Sequence, residues 1–180
     1  MKIIEGLKEL RLLEKKIQQN QGRITAYASA VSTEKLPYED EDRQSAKVQS
    51  LIQSTMDMVE RYLRLKAALD RTNLQVVVTI EGQTRTIHEW IWLRRKLGME
   101  VVQTYNALND SAGSARLREA PTIEGERPQV LRFYTEEDKL AAIDKWQDII
   151  HGIDPRMEVV NATTDIIGYD EEGEDDADAS

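Results

Sequence analysis

Apolar residues stand at Ile3, Leu10, Ile17, Ile24 and Val31, one every seventh residue, and Leu7, Leu13 and Tyr27 fill in the same face. A seven-residue apolar interval marks a helix that lays one stripe against another helix. The other sides carry Lys8, Arg11, Glu14, Lys15, Lys16, Gln18 and Gln19, so the stripe has to be buried by a partner element rather than stand alone in water. The spacing predicts a helix over about residues 3–31, roughly 43 Å long at 1.5 Å per residue.

The period breaks over 33–42, where Pro37 pushes Leu36 out of the helical region. It resumes at Val48, Ile52, Thr55, Val59, Tyr62, Lys66 and Leu69, widened by Leu51, Met58 and Leu65. A second helix over about 46–70 is therefore expected to run back antiparallel along the first. Lys66 takes a seam position near the open end, where its ammonium can reach solvent along an apolar stem.

After Asn73 the period changes to two. Leu74, Val76, Val78 and Ile80 alternate with Gln75, Val77 and Thr79, which predicts a strand over about 74–80, a turn at Glu81-Gly82-Gln83 and a return strand over about 84–86. Thr86-Ile87-His88-Glu89 has the form of a capping box, in which the threonine oxygen accepts a free helix-start amide and the glutamate reaches back. A third helix over about 87–109 follows, with Arg94, Arg95 and Lys96 mostly away from its broad apolar face. Residues 110–129 hold Pro121 and Pro128 and keep no sustained period; a loop of this length inside a compact domain is usually functional or mobile. Val130 to Tyr134 reads as a strand able to join the hairpin, and Thr135-Glu136-Glu137-Asp138 opens a fourth helix over about 136–152. Its buried side is Leu140, Ile143, Trp146, Ile150 and Ile153, and Asp154-Pro155 restarts or kinks it.

The expected fold is mainly α with a minor α+β part. A long antiparallel helical hairpin packs on two further helices, with a small antiparallel β-hairpin or three-stranded sheet, in a single helical domain over 1–169.

Composition narrows the function. Among 180 residues, 32% are charged and no apolar run approaches the roughly 18 residues a membrane helix needs. Cysteine is absent, which excludes disulfide frameworks, thiolate metal sites and cysteine nucleophiles. Residues 1–24 are charged and periodic, unlike a secretory signal, so the expected location is the cytoplasm, or a virion if the chain is phage-encoded. Seven carboxylates without one cation lie in 170–180, and without them the net charge of -9 becomes -2. That tail is expected to be disordered, as bait for a basic protein partner, a nucleic-acid mimic or a solubilising end.

Catalytic motifs are missing. His88-Glu89 opens like a zinc-protease helix, but Trp92 stands where the second histidine belongs. No phosphate-cradling glycine loop, nucleophile elbow or dinucleotide fingerprint occurs, and no cofactor is expected. One basic concentration exists, with eight cations against three carboxylates from Arg61 to Lys96, a net +5. Arg61, Arg64, Arg71, Arg85, Arg95 and Lys96 are its candidate nucleic-acid contacts. The competing reading is a solvated helix face, or cations pairing with the acidic segment Glu39 to Asp42 of a neighbouring subunit. Trp90, Ile91, Trp92 and Leu93 make the third helix apolar nearly all round, so it is either buried on both sides or part of an oligomer interface; Trp90, Trp92 and Leu93 are the candidate interface.

Arg71-Thr72-Asn73, Glu81-Gly82, the run Thr86 to Arg94 and the closing run Ile153 to Ile166 together resemble the septicolysin-like family of small bacterial helical proteins. The order and spacing match over about residues 1–166, although Ala162 stands where that family carries tryptophan. The resemblance implies a mainly helical fold with a small β-hairpin, self-assembly and no established activity. Thr72, Asn73, Arg94, Asp154, Asn161 and Thr164 match its pattern, as a candidate binding cluster or as caps and buried hydrogen-bond partners. The expected function is a noncatalytic homo-oligomeric structural or scaffold protein, such as a phage virion or assembly component. The alternative is a nucleic-acid-associated or regulatory binding module with an autoinhibitory acidic tail.

Overall fold

The computed structural model describes residues 1–121 and 128–169. Residues 122–127 of the expected loop and the acidic tail 170–180, for which disorder is expected, lie outside the described residues. Among the described residues the protein is mainly helical, and no helix is long and apolar enough to cross a membrane. The described residues group into two compact units, Met1–Gln75 with 159–169, and Val76–Glu158.

In the first unit, α1 (Ile3–Tyr27) and α2 (Glu41–Gln75) lie against each other. Gln44 Nε2 donates to the Tyr27 carbonyl at 2.8 Å, Asn20 Nδ2 to Thr55 Oγ1 at 3.4 Å, and the Tyr62 hydroxyl to the Glu14 carboxylate at 2.8 Å. Numbers fall along α1 as they rise along α2, the order of antiparallel neighbours. Buried positions are Ile3, Gly6, Leu10, Leu13 and Asn20 on α1, and Gln44, Leu51, Thr55, Leu65, Leu69 and Thr72 on α2, with Ala68 buried beside that seam. Both sets follow the three-four alternation of a coiled-coil seam.

Thr55 and Leu69 are buried on the seam as expected, whereas Ile52 and Lys66 give way to their neighbours Leu51 and Leu65, expected only to widen the stripe. Leu65 is fully buried where Lys66 was expected on the seam, and the Lys66 ammonium instead pairs with Asp70 at 2.7 Å on the exposed side. Either residue of the Leu65-Lys66 pair keeps the spacing, but only one desolvates an ammonium, and that cost decides it. The helix ends differ too. α1 stops at Tyr27, whose ring meets Tyr38 edge-on at 5.2 Å, and Val31 lies beyond the helix and exposed. α2 begins at Glu41 because Asp40 Oδ1 accepts the Arg43 amide at 2.7 Å, an N-cap the sequence reading placed inside the loop.

The chain after Thr163 closes back on this unit. The Ile3 amide donates to the Thr164 carbonyl at 3.0 Å and the Ile166 amide to the Met1 carbonyl at 2.9 Å, an antiparallel bridge between Lys2 and Asp165. Lys2 Nζ adds bonds to the Thr163 carbonyl at 2.9 Å and to Asp165 at 2.7 Å.

In the second unit, β1 (Val77–Ile80) and β2 (Gln83–Thr86) pair antiparallel, with Val77 opposite Thr86 and Ile80 opposite Gln83. Glu81 and Gly82 both have positive φ, 45° and 74°, the two-residue type I′ turn whose twist suits a hairpin. No strand forms at 130–134, and the sheet has two strands, not three. Thr86 caps the next helix as expected: its oxygen accepts the Glu89 amide at 3.2 Å, and its own amide donates to the Glu89 carboxylate at 2.8 Å.

The expected single helix over 87–109 is three pieces: α3 (Ile87–Trp92), a π-helical segment (Leu93–Leu97) and α4 (Gly98–Asn106). The Gly98 amide donates to the Leu93 carbonyl, five residues back. A Cβ at Gly98 would lie 2.9 Å from that carbonyl and 2.8 Å from Ile150 Cγ1, so only glycine fits there. α5 (Ser111–Glu119) occupies part of the expected loop. α6 (Glu136–Thr163) neither stops at 152 nor restarts, and Pro155 lies inside it. Losing the Pro155 amide removes one helical bond, and burial of Ile153 and Met157 on either side holds the helix through the gap. Its buried side includes Ile143, Ile149 and Ile153, while Leu140 is half exposed.

Candidate functional site

Of the three residues expected at an oligomer interface, the structure buries Trp90 and Leu93 and leaves Trp92 exposed. Trp90 is fully buried within its own chain and its indole Nε1 donates to the Val78 carbonyl at 2.9 Å. It is a core residue of the monomer, and this removes it from the interface. Trp92, two residues on, is 48% exposed, and its indole nitrogen donates to His88 Nε2 at 3.0 Å. Leu93 is buried, whereas Leu97 and Met99 are exposed. The capping box at Thr86 sets where this helix begins, and so which tryptophan points inward.

The cations of the basic window largely have partners. Arg61 pairs with Glu9 at 3.2 Å, Arg85 lies 5.9 Å over the Trp90 ring, and Arg94 pairs with Asp154. Arg61, Arg64 and Arg71 belong to the first unit and Arg85, Arg95 and Lys96 to the second, where Arg95 and Lys96 stand exposed on the π-helical segment. The polar residues singled out by the family pattern divide the same way. Thr72 is buried, donating to the Ala68 carbonyl and accepting the Ile167 amide, both at 2.8 Å. Thr164 serves the terminal bridge through its carbonyl, while Asn73 and Asn161 are half-buried. Arg94 and Asp154 form an exposed ion pair in the second unit.

Sequence reasoning missed a lobe built from 107–121 and 128–134. Asp110 accepts from Arg132 Nε at 2.7 Å and from the Tyr134 hydroxyl at 3.2 Å, and a Cβ at Gly113 would come 2.8 Å from Val130 Cγ1. The Arg132 bonds hold the Asp110 carboxyl below its usual range, while desolvation and then the bond to Asp110 push the Tyr134 phenol up. Around them lies an open cavity of about 610 Å³, lined in part by Leu108, Leu117, Val130 and Leu131. Leu131 and Phe133, 74% and 95% exposed, stand on the same segment. The alternation of Val130, Arg132 and Tyr134 with Leu131 and Phe133 was visible as a strand pattern, and it survives as two faces without a sheet to join.

Among the described residues, no group of three or more histidine or acidic side chains is placed to hold a metal ion. Compared with protein-family models, curated proteins and solved structures, the chain matches none.

Proposed function

We propose that this protein is a noncatalytic, homo-oligomeric structural or scaffold protein, of the kind found among phage virion and assembly components. Trp92 carries the reading. About half of a large aromatic surface stands open, and its one polar atom is already bonded to His88. Burying that ring against another chain removes apolar area from water and breaks no hydrogen bond. Exposed Leu97 and Met99 extend the apolar area along the chain. The likeness to the septicolysin-like family belongs to the same proposal and agrees in implying self-assembly; the proposed location is the cytoplasm, or a virion if the chain is phage-encoded. Light scattering of the native chain and of Trp92→Glu tests it, because a charge forced into a buried contact costs several kcal/mol. A defined oligomer that the variant dissociates while keeping its helicity is expected, and a native monomer at micromolar concentration overturns the reading.

Exposed Arg95 and Lys96 favour one alternative, a nucleic-acid-associated or regulatory module whose tail 170–180 competes for those cations. Under that alternative, nucleic-acid binding strengthens when residues 170–180 are removed and weakens as salt rises.

A further inference from the structure

α2 carries a second apolar stripe that its own chain leaves open. Ile52, Met56, Val59 and Leu63 follow a four-three-four spacing, each one residue on from the seam positions Leu51, Thr55, Met58 and Tyr62. One residue is about 100° of rotation, so the stripe looks out beside α1 rather than into it. Met56 and Leu63 are 54% and 55% exposed, and Ile52 and Val59 are half-buried. Beside them a groove of about 320 Å³ runs between the helices, lined by Ile17, Val59, Tyr62 and Leu63 among others. A helix apolar on two sides is one that is buried twice.

We infer that this stripe is covered by the same stripe of a second copy, running antiparallel about a twofold axis between Met56 and Val59. Two features of the chain select that occupant. The four-three-four spacing reads the same in both directions, so the twofold sets Ile52 against Leu63 and Met56 against Val59, as an isologous contact requires. The charges along the helix are also complementary to their own reverse. Residues 41–57 of α2 carry Glu41, Asp42 and Asp57 against Arg43 and Lys47, a net -1. Residues 58–75 carry Arg61, Arg64, Lys66 and Arg71 against Glu60 and Asp70, a net +2. Antiparallel pairing brings each acidic half over the partner's basic half, whereas parallel pairing stacks like on like. The inference rests on the reading that the chain self-associates, and it places one contact on the first unit, apart from Trp92.

Light scattering of the full chain, of Met56→Lys/Leu63→Lys and of Trp92→Glu separates the two. The native chain is expected at twice the chain mass or a multiple of it. Met56→Lys/Leu63→Lys, altered only at exposed positions, is expected to lower that mass at least twofold with unchanged circular dichroism. A native oligomer whose mass this double variant leaves unchanged overturns the α2 contact and spares the scaffold reading; a native monomer overturns both. The chain has no cysteine, so Ile52→Cys and Leu63→Cys report the direction through a short bismaleimide. A mixture of the two variants is expected to cross-link, while Leu63→Cys alone does not, its two copies lying about 16 Å apart along the axis. Self-cross-linking of Leu63→Cys overturns the antiparallel arrangement.

Discussion

The hydroxyl of Thr72 joins two segments that lie 95 residues apart in the chain, accepting the Ile167 amide at 2.8 Å while it donates to the Ala68 carbonyl. Thr72 is fully buried, and its bond to the Ile167 amide is part-buried. Thr72→Val keeps the shape and strands the Ile167 amide, which should cost about 1–3 kcal/mol in a denaturant titration. Thr72→Ser keeps the bond and should recover most of that loss. Equal effects from the two substitutions would mean that methyl packing, not the hydrogen bond, matters at this position.

Acid should loosen the lobe around α5. The Asp110 carboxyl lies below its usual range because Arg132 hydrogen-bonds its charged form. A folded value depressed below the unfolded one gives stability that is fully present above the ordinary carboxylate range. It is lost as pH falls through that range toward the folded value. Amide exchange in 111–119, corrected for its intrinsic pH dependence, should therefore quicken in acid while β1 and β2 stay protected. Asp110→Asn should show that faster exchange already at neutral pH and respond little to further acid. A wild-type lobe that exchanges equally at both pH values would rule out the latch.

Two glycines should respond with opposite signs. A Cβ at Gly98 meets the Leu93 carbonyl at 2.9 Å and Ile150 Cγ1 at 2.8 Å, so Gly98→Ala should destabilise by about 1–3 kcal/mol. At Gly22, inside α1, a Cβ meets nothing within 4 Å, so Gly22→Ala should stabilise by roughly 0.5–1 kcal/mol through the less flexible unfolded chain. Thermal unfolding of both variants is the check, and a stable Gly98→Ala would show that the π-helical turn relaxes to α at no cost.

Local chemistry carried far in some places and not in others. Glu81-Gly82 and Thr86 to Glu89 were legible because a type I′ turn and a capping box are complete within four residues. The seam spacing was legible as well, and so were Thr55 and Leu69, but not the choice between neighbours at every turn. Leu51-Ile52, Met58-Val59 and Leu65-Lys66 offer adjacent candidates at each turn, and only the facing helix chooses between them. Trp90 and Trp92 read alike for the same reason, until the Val78 carbonyl takes one indole and His88 the other. α5 has no buried residue, so it left no apolar period to find; Arg132, 22 residues beyond Asp110, ties down its start.

The bridge from Met1 and Ile3 to Thr164 and Ile166 also sets a load path. Any pull entering the chain beyond Tyr169 reaches these short antiparallel bonds and the Thr72 hydroxyl before it reaches the last turn of α6. A partner grasping the tail would tug on the base of α1 and α2, where Leu65 and Leu69 lie deepest, and would do so before α6 could unwind from its end. The first event under tension is then the release of the Ile167 amide from Thr72, and the two bridge bonds at Ile166 and Thr164 open after it.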